Sequence, residues 1–299
     1  MNKLDHSIKH LFIISVIFLF ISLMIISLPA RTKPTSSVTY YVEIDENNWK
    51  AINVNISIEN NENNRLLCTL PACSGTDVFH YKIKADVVNF KVDGNGIKPP
   101  TFKRINQNSW LVNANDNQLL FISYTVHSLE NPVLGECLGR DFAWINGAAV
   151  FMYIRELKGV PVKLTVNVPY GWKLATGLPF AEDNFQYSAL DYQKLIHNPL
   201  FLGPFEEVYF TYQERPHYVL FHGRNKVGLE KLSLISRKVM KYQTDFFNRY
   251  IKDRYLFIFK YFPKEIETTQ QAFRNSSIIY LSSKELENNL NKIGKTCLL

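Results

Sequence analysis

From Val38 onward apolar residues recur at every second position, a period that excludes a helical bundle before any other property of the chain is weighed. Ile52, Val54, Ile56 and Ile58 alternate with Asn53, Asn55, Ser57 and Glu59. Leu120, Ile122, Tyr124 and Val126 alternate with Ser123 and Thr125, and Val162, Leu164, Val166 and Val168 with Lys163, Thr165 and Asn167. Side chains along a strand point to opposite faces in turn, so each run predicts a half-buried antiparallel strand. Turn-forming clusters separate them at 60–64, at Asp93-Gly94-Asn95-Gly96, at 113–117 and at Tyr170-Gly171. That cadence predicts a mainly β chain built on an antiparallel β-sandwich. Residues 207–212 and 217–222 read as two further strands.

The period then changes. Leu229, Leu232, Ile235, Val239, Tyr242, Phe246 and Tyr250 recur three or four apart, which predicts an amphipathic helix. A very apolar strand is expected over 255–262 and a short one over 277–281. Ser282-x-x-Glu285 then fits a capping box ahead of Leu286, Leu290 and Ile293. The chain therefore divides into an n-region at 1–10, a hydrophobic segment at 11–30, a linker at 31–37, a β-sandwich at 38–222 and a short α/β fragment at 223–299. So small a fragment buries little by itself. Its exposed apolar face is the expected place for a peptide or protein partner.

Leu11 to Leu28 carries no charge and is interrupted only by Ser15, Ser22 and Ser27. At about 1.5 Å per residue it nearly spans a hydrocarbon layer. Lys3 and Lys9 precede it as in a secretory n-region. Leu28-Pro29-Ala30 is a poor cleavage site, because Leu28 stands where a small residue is needed. The expectation is a retained signal-anchor, with the lipid bilayer as partner of 11–30 and the folded part exported to a periplasmic or extracellular space. Secretion after cleavage is the alternative. Arg31 and Lys33 balance Lys3 and Lys9, so orientation rests on the short head and bulky tail. The net charge of +7 is concentrated after Arg215, where sixteen Lys and Arg face seven Asp and Glu. No helix-turn-helix, zinc-finger or RNA-binding signature accompanies it, so the basic half reads as a solvated face and no nucleic-acid partner is expected.

Chemistry-bearing residues are sparse. Cys68 and Cys73 have a C-x4-C spacing around Pro71 that suits a small disulfide loop, while Cys137 and Cys297 have no evident mates. Three pairings are open, as are free or buried thiols. His6 and His10 have helical i, i+4 spacing, but Ser7 follows the first and both precede the hydrophobic segment. His217 and His222 lie five apart in a strand, hence on opposite faces, and cannot share an ion. His80, His127 and His197 are scattered. There is no Gly-rich phosphate loop and no G-x-S-x-G elbow. No catalytic, cofactor-binding or metal-ligating residue is assigned.

Residues 162–204 nevertheless carry a set of phrases: Val168-Pro169-Tyr170-Gly171-Trp172, Ala175-Thr176-Gly177-Leu178, Ala189-Leu190-Asp191-Tyr192 with Leu195, and Asn198-Pro199 with Gly203. Together they resemble the N-terminal domain of the glycyl aminopeptidase family of thermolysin-like zinc metallopeptidases, which carry a PDZ domain. Tyr41-Val42-Glu43-Ile44, Leu70-Pro71 and Ser123-Tyr124-Thr125-Val126 fit the same template, so the resemblance covers 38 to about 283. It implies that 223–299 is the start of a catalytic-type domain. The family's edge-strand Glu, which holds the substrate's amino terminus, would fall at Ala272 within 270–276, and its His at Phe273. The family's zinc ligands, two His one helical turn apart flanking a Glu and a third ligand beyond, have no counterpart in these 299 residues.

The expectation is therefore a membrane-anchored, exported, non-catalytic relative of such a peptidase, without zinc, serving as a scaffold or interaction protein. Two alternatives stand beside it. One is a truncated or split metallo-aminopeptidase whose zinc-binding part is encoded downstream. The other is a peptide- or carbohydrate-binding module with Trp110, Trp144 or Trp172 as platforms.

Overall fold

The computed structural model describes residues 36–44, 48–71, 73–74, 81–82, 86–127, 136–181, 186–223, 228–247, 254–262 and 269–282, all within one compact unit, Ser36–Leu299. The segment 11–30, His6, His10, His80, Cys297 and the helix expected after Ser282 lie outside them. Among the described residues no helix is long and apolar enough to cross a membrane.

In chain order the strands are β1 (Ser37–Ile44), β2 (Ala51–Glu59), β3 (Arg65–Thr69), β4 (Cys73–Ser74), β5 (Tyr81–Lys82), β6 (Asp86–Gly94), β7 (Thr101–Asn106), β8 (Ser109–Asn113), β9 (Leu120–His127), β10 (Glu136–Leu138) and β11 (Ala143–Ile145). After helix α1 (Gly147–Val150) come β12 (Tyr153–Ile154), β13 (Val162–Asn167), β14 (Lys173–Thr176), β15 (Phe180–Ala181) and β16 (Gln186–Ala189). Helix α2 (Tyr192–Ile196) leads to β17 (Leu200–Gly203), β18 (Glu206–Tyr212) and β19 (Arg215–His222). Helix α3 (Leu229–Phe247), β20 (Leu256–Phe262), β21 (Thr269–Ala272) and β22 (Ser276–Ser282) complete the described chain. It is mainly β, as the period-two runs predict.

Those runs become β2, β9 and β13 of a seven-stranded sheet ordered β15-β16-β13-β1-β2-β9-β6. Their apolar faces meet those of a four-stranded sheet, β12-β3-β8-β7, in one cluster that holds Ile52, Ile56, Leu66 and Val112. Phe90 of β6 stacks on Trp110 of β8 at 4.9 Å between ring centres, joining the two sheets. The pairing of β1 with β13 is parallel, which period alone does not reveal.

Three phenols fix the irregular stretch that follows α1. Tyr40 donates to the Met152 carbonyl at 2.6 Å, and Tyr192 to the Phe151 carbonyl at 2.8 Å. Tyr124 donates to the Val150 carbonyl at 2.8 Å and accepts from the Met152 amide at 2.9 Å. Burial pushes all three phenols above their ordinary pKa, so they remain neutral donors.

A second four-stranded sheet, β10-β11-β17-β14, is apolar on both sides. Ala143, Ile145, Leu200 and Leu202 face the first cluster, whereas Trp144, Ala175 and Phe201 face another. That other cluster includes Leu220, Leu256, Ile258, Ile278 and Tyr280 from a five-stranded mixed sheet, β18-β19-β20-β22-β21. The opposite face of the mixed sheet, with Val219, Phe221, Phe257, Phe259 and Ile279, packs on Leu232, Val239 and Met240 of α3. The apolar strand at 255–262 therefore has no bare face, and the small α/β segment obtains its missing core from the β-rich part before it. The change of sequence period at 223 falls inside the mixed sheet, because β19 pairs parallel with β20. Exposure remains on the outer side of α3, at Leu234, Tyr242 and Phe246.

A buried polar contact crosses this junction. His222 Nε2 lies 2.9 Å from the Asp141 carbonyl and Nδ1 lies 2.6 Å from Lys260 Nζ. An ammonium only donates, so Nδ1 accepts and Nε2–H donates, which makes the ring neutral. Burial, then the Lys260 charge, hold the His222 pKa below its ordinary 6.5, against the opposing pull of Asp141. A depressed pKa means that this stability is present above pH 6.5 and is lost as pH falls through the folded value.

Two measurements on the detergent-solubilised full chain test this account. Tyr124→Phe is expected to lower unfolding stability in urea by about 2 kcal/mol and Tyr192→Phe by about 1 kcal/mol, because the first strands a carbonyl and an amide and the second a carbonyl only. Equal losses would refute the clamp. His222→Gln keeps one donor and one acceptor without a titrating ring, so the fall in urea midpoint below pH 6.5 is expected to flatten. An unchanged slope would place the pH dependence elsewhere.

Candidate functional site

The phrases shared with the glycyl aminopeptidase family each have a mechanical explanation. Pro169-Tyr170-Gly171-Trp172 closes a turn in which the Trp172 amide donates to the Pro169 carbonyl at 3.0 Å. Gly171 has φ +77°, the left-handed value that the third position of a type II turn requires. Asp191 caps α2, its carboxylate accepting from the Lys194 amide at 2.7 Å, and Tyr192 and Leu195 enter the core behind it. Asn198 is buried and donates to the Lys194 carbonyl at 2.7 Å, satisfying the end of the same helix. Gly203, at φ +152°, lets the backbone pass the junction contact: a Cβ there would stand 3.0 Å from the Asp141 carbonyl and 3.3 Å from the His222 ring. At Gly177 a Cβ would collide with Asn198 Oδ1 at 2.3 Å and with Asn275 at 2.8 Å.

That last contact leads to the site proper. Strand β21 is the edge of the mixed sheet, antiparallel to β22, with Gln270 opposite Ile279 and Ala272 opposite Ser277. The turn after it is closed by the Phe273 amide donating to the Ser276 carbonyl at 2.8 Å. Phe273 stands edge-on to Trp144 at 5.4 Å, and Asn275 rests on Gly177, so the end of β21 is pinned to the β-rich part. Ala272, where the family resemblance places the amine-binding Glu, is exposed and ends the strand with a methyl group. Phe273, at the place of the family's His, contributes packing and no donor.

The remaining candidates separate. His217 is fully buried against Phe210 and Tyr212, with its pKa lowered by burial, while His222 faces Phe142 and Phe201 across the sheet. They lie on opposite faces as the odd spacing requires. His127 is 3.9 Å from Asp86 at the end of β9, and His197 follows α2 as its C-cap. Among the described residues no three His, Cys, Asp or Glu side chains converge, so these residues do not offer zinc the ligand set that the family uses.

The disulfide loop expected from the C-x4-C spacing does not form, because Cys68 is a free, fully buried thiol in the core between the sheets. Burial pushes that thiol's pKa far up, which leaves it inert. The side chains of Cys73 and Cys137 lie outside the described residues. Trp110 and Trp144 are buried and Trp172 stacks on Trp49 at 5.3 Å, so the platform role expected of them is replaced by packing. Lys260 and Arg254, which join the two parts, escaped sequence reasoning, although a lone Lys within Leu-Phe-Ile-Phe-Lys-Tyr-Phe was a visible signal.

Comparison with known proteins agrees with the phrases. Residues 39–204 match the family model of the peptidase M61 N-terminal domain. No curated protein matches the chain. Among solved structures, an aminopeptidase N family protein from Idiomarina loihiensis superposes with a TM-score of 0.72 at 18% identity, over 83% of this chain and 43% of that one. A mutant M1 zinc metallopeptidase from Deinococcus radiodurans bound to a Tyr-Ser-Ala substrate gives a TM-score of 0.48 at 12% identity, over 81% of this chain and 58% of that one. The chain thus spans less than two thirds of either protein, and at 18% identity the likeness to the Idiomarina loihiensis protein is one of fold. The family match covers more than half of the residues, and by it this chain belongs to the peptidase M61 N-terminal domain family.

Proposed function

We propose that this chain is a membrane-anchored, exported relative of the M61 peptidases that does not itself cleave peptides and serves as a scaffold or interaction protein. The observation that carries this reading is Ala272, a methyl group ending edge strand β21. A carboxylate at that place would give a substrate's ammonium a charge-assisted hydrogen bond of about 1.5–3 kcal/mol, which a methyl cannot. The uncharged run from Leu11 to Leu28 supports the anchor, with the bilayer as partner. The exposed Leu234, Tyr242 and Phe246 on α3 offer a peptide or protein partner an apolar face. On this reading the domain division lies near 205, since the family match ends at 204 and the mixed sheet begins at Glu206.

The same exposed face on α3 favours a second reading, in which the chain is one part of a metallo-aminopeptidase whose zinc-binding part packs there. Co-purification with a polypeptide that carries a His-Glu-x-x-His helix would establish it.

The test is to incubate the detergent-solubilised full chain and its Ala272→Glu variant with zinc and a glycine-leading hexapeptide, in free-amine and N-acetylated forms. No glycine release is expected from either protein. If the peptide binds, the native chain is expected to hold both forms equally, and the Glu variant to favour the free amine about tenfold. Zinc-dependent release of glycine by the native chain would sink the proposal.

A further inference from the structure

A cavity of about 220 Å³ opens where the β-rich part meets the mixed sheet, beside β18, β19 and the start of β20. Its walls are apolar and aromatic, from Leu174, Phe180, Tyr187, Tyr218, Leu220 and Leu256. Two charged residues line it, Glu207 and Arg254. Glu207 already has a cation, since Lys173 Nζ lies 3.3 Å from it. Arg254 has no acid. Its Nη2 donates to the carbonyls of Thr176, at 3.0 Å, and of Leu178, which fixes the guanidinium against the cavity wall by one nitrogen. A guanidinium carries five N–H donors, and these two bonds leave the others without a protein acceptor among the described residues. The Arg254 charge also acts on the Tyr187 phenol, drawing its pKa down against the upward effect of burial, so a second polar group stands near the same point.

A fixed guanidinium with spare donors, set among apolar walls at a junction between two parts of a fold, is the arrangement that binds an anion with an apolar body. A planar carboxylate matches it in shape, since two parallel N–H groups meet two oxygens. At about 30 Å³ per water molecule the cavity has the space of about seven waters, so it admits only a small ligand. Phosphorylated or multiply charged ligands do not suit it, because among the described residues Arg254 is the only cation lining the cavity and Glu207 opposes further negative charge.

We propose that this cavity binds a small monocarboxylate with an aromatic or branched aliphatic body, the carboxylate on Arg254 and the body between Leu174, Phe180 and Tyr218. Binding there does not rest on whether the chain cleaves peptides.

The experiment is a titration of the detergent-solubilised full chain with 3-phenylpropionate and with its uncharged amide, followed by calorimetry and by the change in tyrosine fluorescence. The acid is expected to bind saturably at millimolar concentration or below, and the amide about tenfold more weakly. Leu174→Trp, which fills the cavity from a half-buried position and leaves Arg254 in place, is expected to abolish binding of both. Arg254→Met is expected to remove the preference for acid over amide. Should that variant fail to fold, the acid–amide comparison on the native chain and the Leu174→Trp titration decide alone. The proposal is overturned if the acid shows no saturable binding below about 10 mM, if the amide binds as well as the acid, or if Leu174→Trp retains native affinity.

Discussion

Everything beyond the sandwich depends on one sheet being apolar on both sides. Strand β17 sends Leu200 and Leu202 into the core of the β-rich part and Phe201 the other way, and β11 does the same with Ala143 and Ile145 against Trp144. Phe142, Trp144, Phe201, Phe205, Leu256 and Ile258 become solvent-free only because the two parts meet. At about 2 kcal/mol for each large apolar side chain, that surface alone matches the net stability of a whole domain, about 5–15 kcal/mol. The mixed sheet is therefore held by the sandwich rather than merely tethered to it. The arrangement also explains the continuous apolar strings, Leu200-Phe201-Leu202 and Leu256-Phe257-Ile258-Phe259, in a chain whose β2, β9 and β13 alternate: a strand covered on both faces has no polar side to show.

Much of this was legible in the residues. Period two marked β2, β9 and β13, period 3.6 marked α3, and the run at 255–262 marked β20. What alternation does not carry is the identity of a strand's neighbour. The parallel pairing of β1 with β13 joins residues more than a hundred positions apart, and the pairing of β19 with β20 spans α3. Both are set by which apolar faces remain uncovered after local hairpins have formed. For the same reason the sequence does not reveal that the change of period at 223 falls inside one mixed sheet, where β19 pairs parallel with β20. The cysteine spacing left open a choice that strand geometry makes in favour of a buried thiol. A C-x4-C pair reads as a small loop, but strand β3 turns Cys68 inward opposite Trp110, and the direction of a side chain from a strand outweighs its distance along the chain.

The buried polar contact between His222, Asp141 and Lys260 places a specific requirement on this otherwise apolar junction. Lys260 lies within an apolar strand, 3.6 Å from the centre of the Phe142 ring, where an ammonium gains from the negative face of the aromatic system. His222 supplies its acceptor, and the Asp141 carbonyl satisfies the other ring nitrogen. Gly203 has no Cβ because that backbone carbonyl and that ring occupy the space. A glycine that looks, in sequence, like one more member of a family phrase is thus the clearance for a contact between residues 81 positions apart.

The residues of the family's phrases and those at the end of β21 are held by different constraints. Gly171, Asp191, Tyr192, Asn198 and Gly203 are each tied to a turn, a cap, a core hydrogen bond or a close approach, and replacing any of them costs about 1 kcal/mol or more of a small net stability. Ala272 is exposed at the end of an edge strand, where exchanging one side chain for another costs almost nothing in folding. Phe273, its neighbour, is different: its ring fills space against Trp144, so the place that a histidine holds in the family here strengthens the junction. Packing constrains the scaffold position by position, whereas a solvent-facing site is constrained only by the reaction it serves, so the two are free to part company in a single sequence.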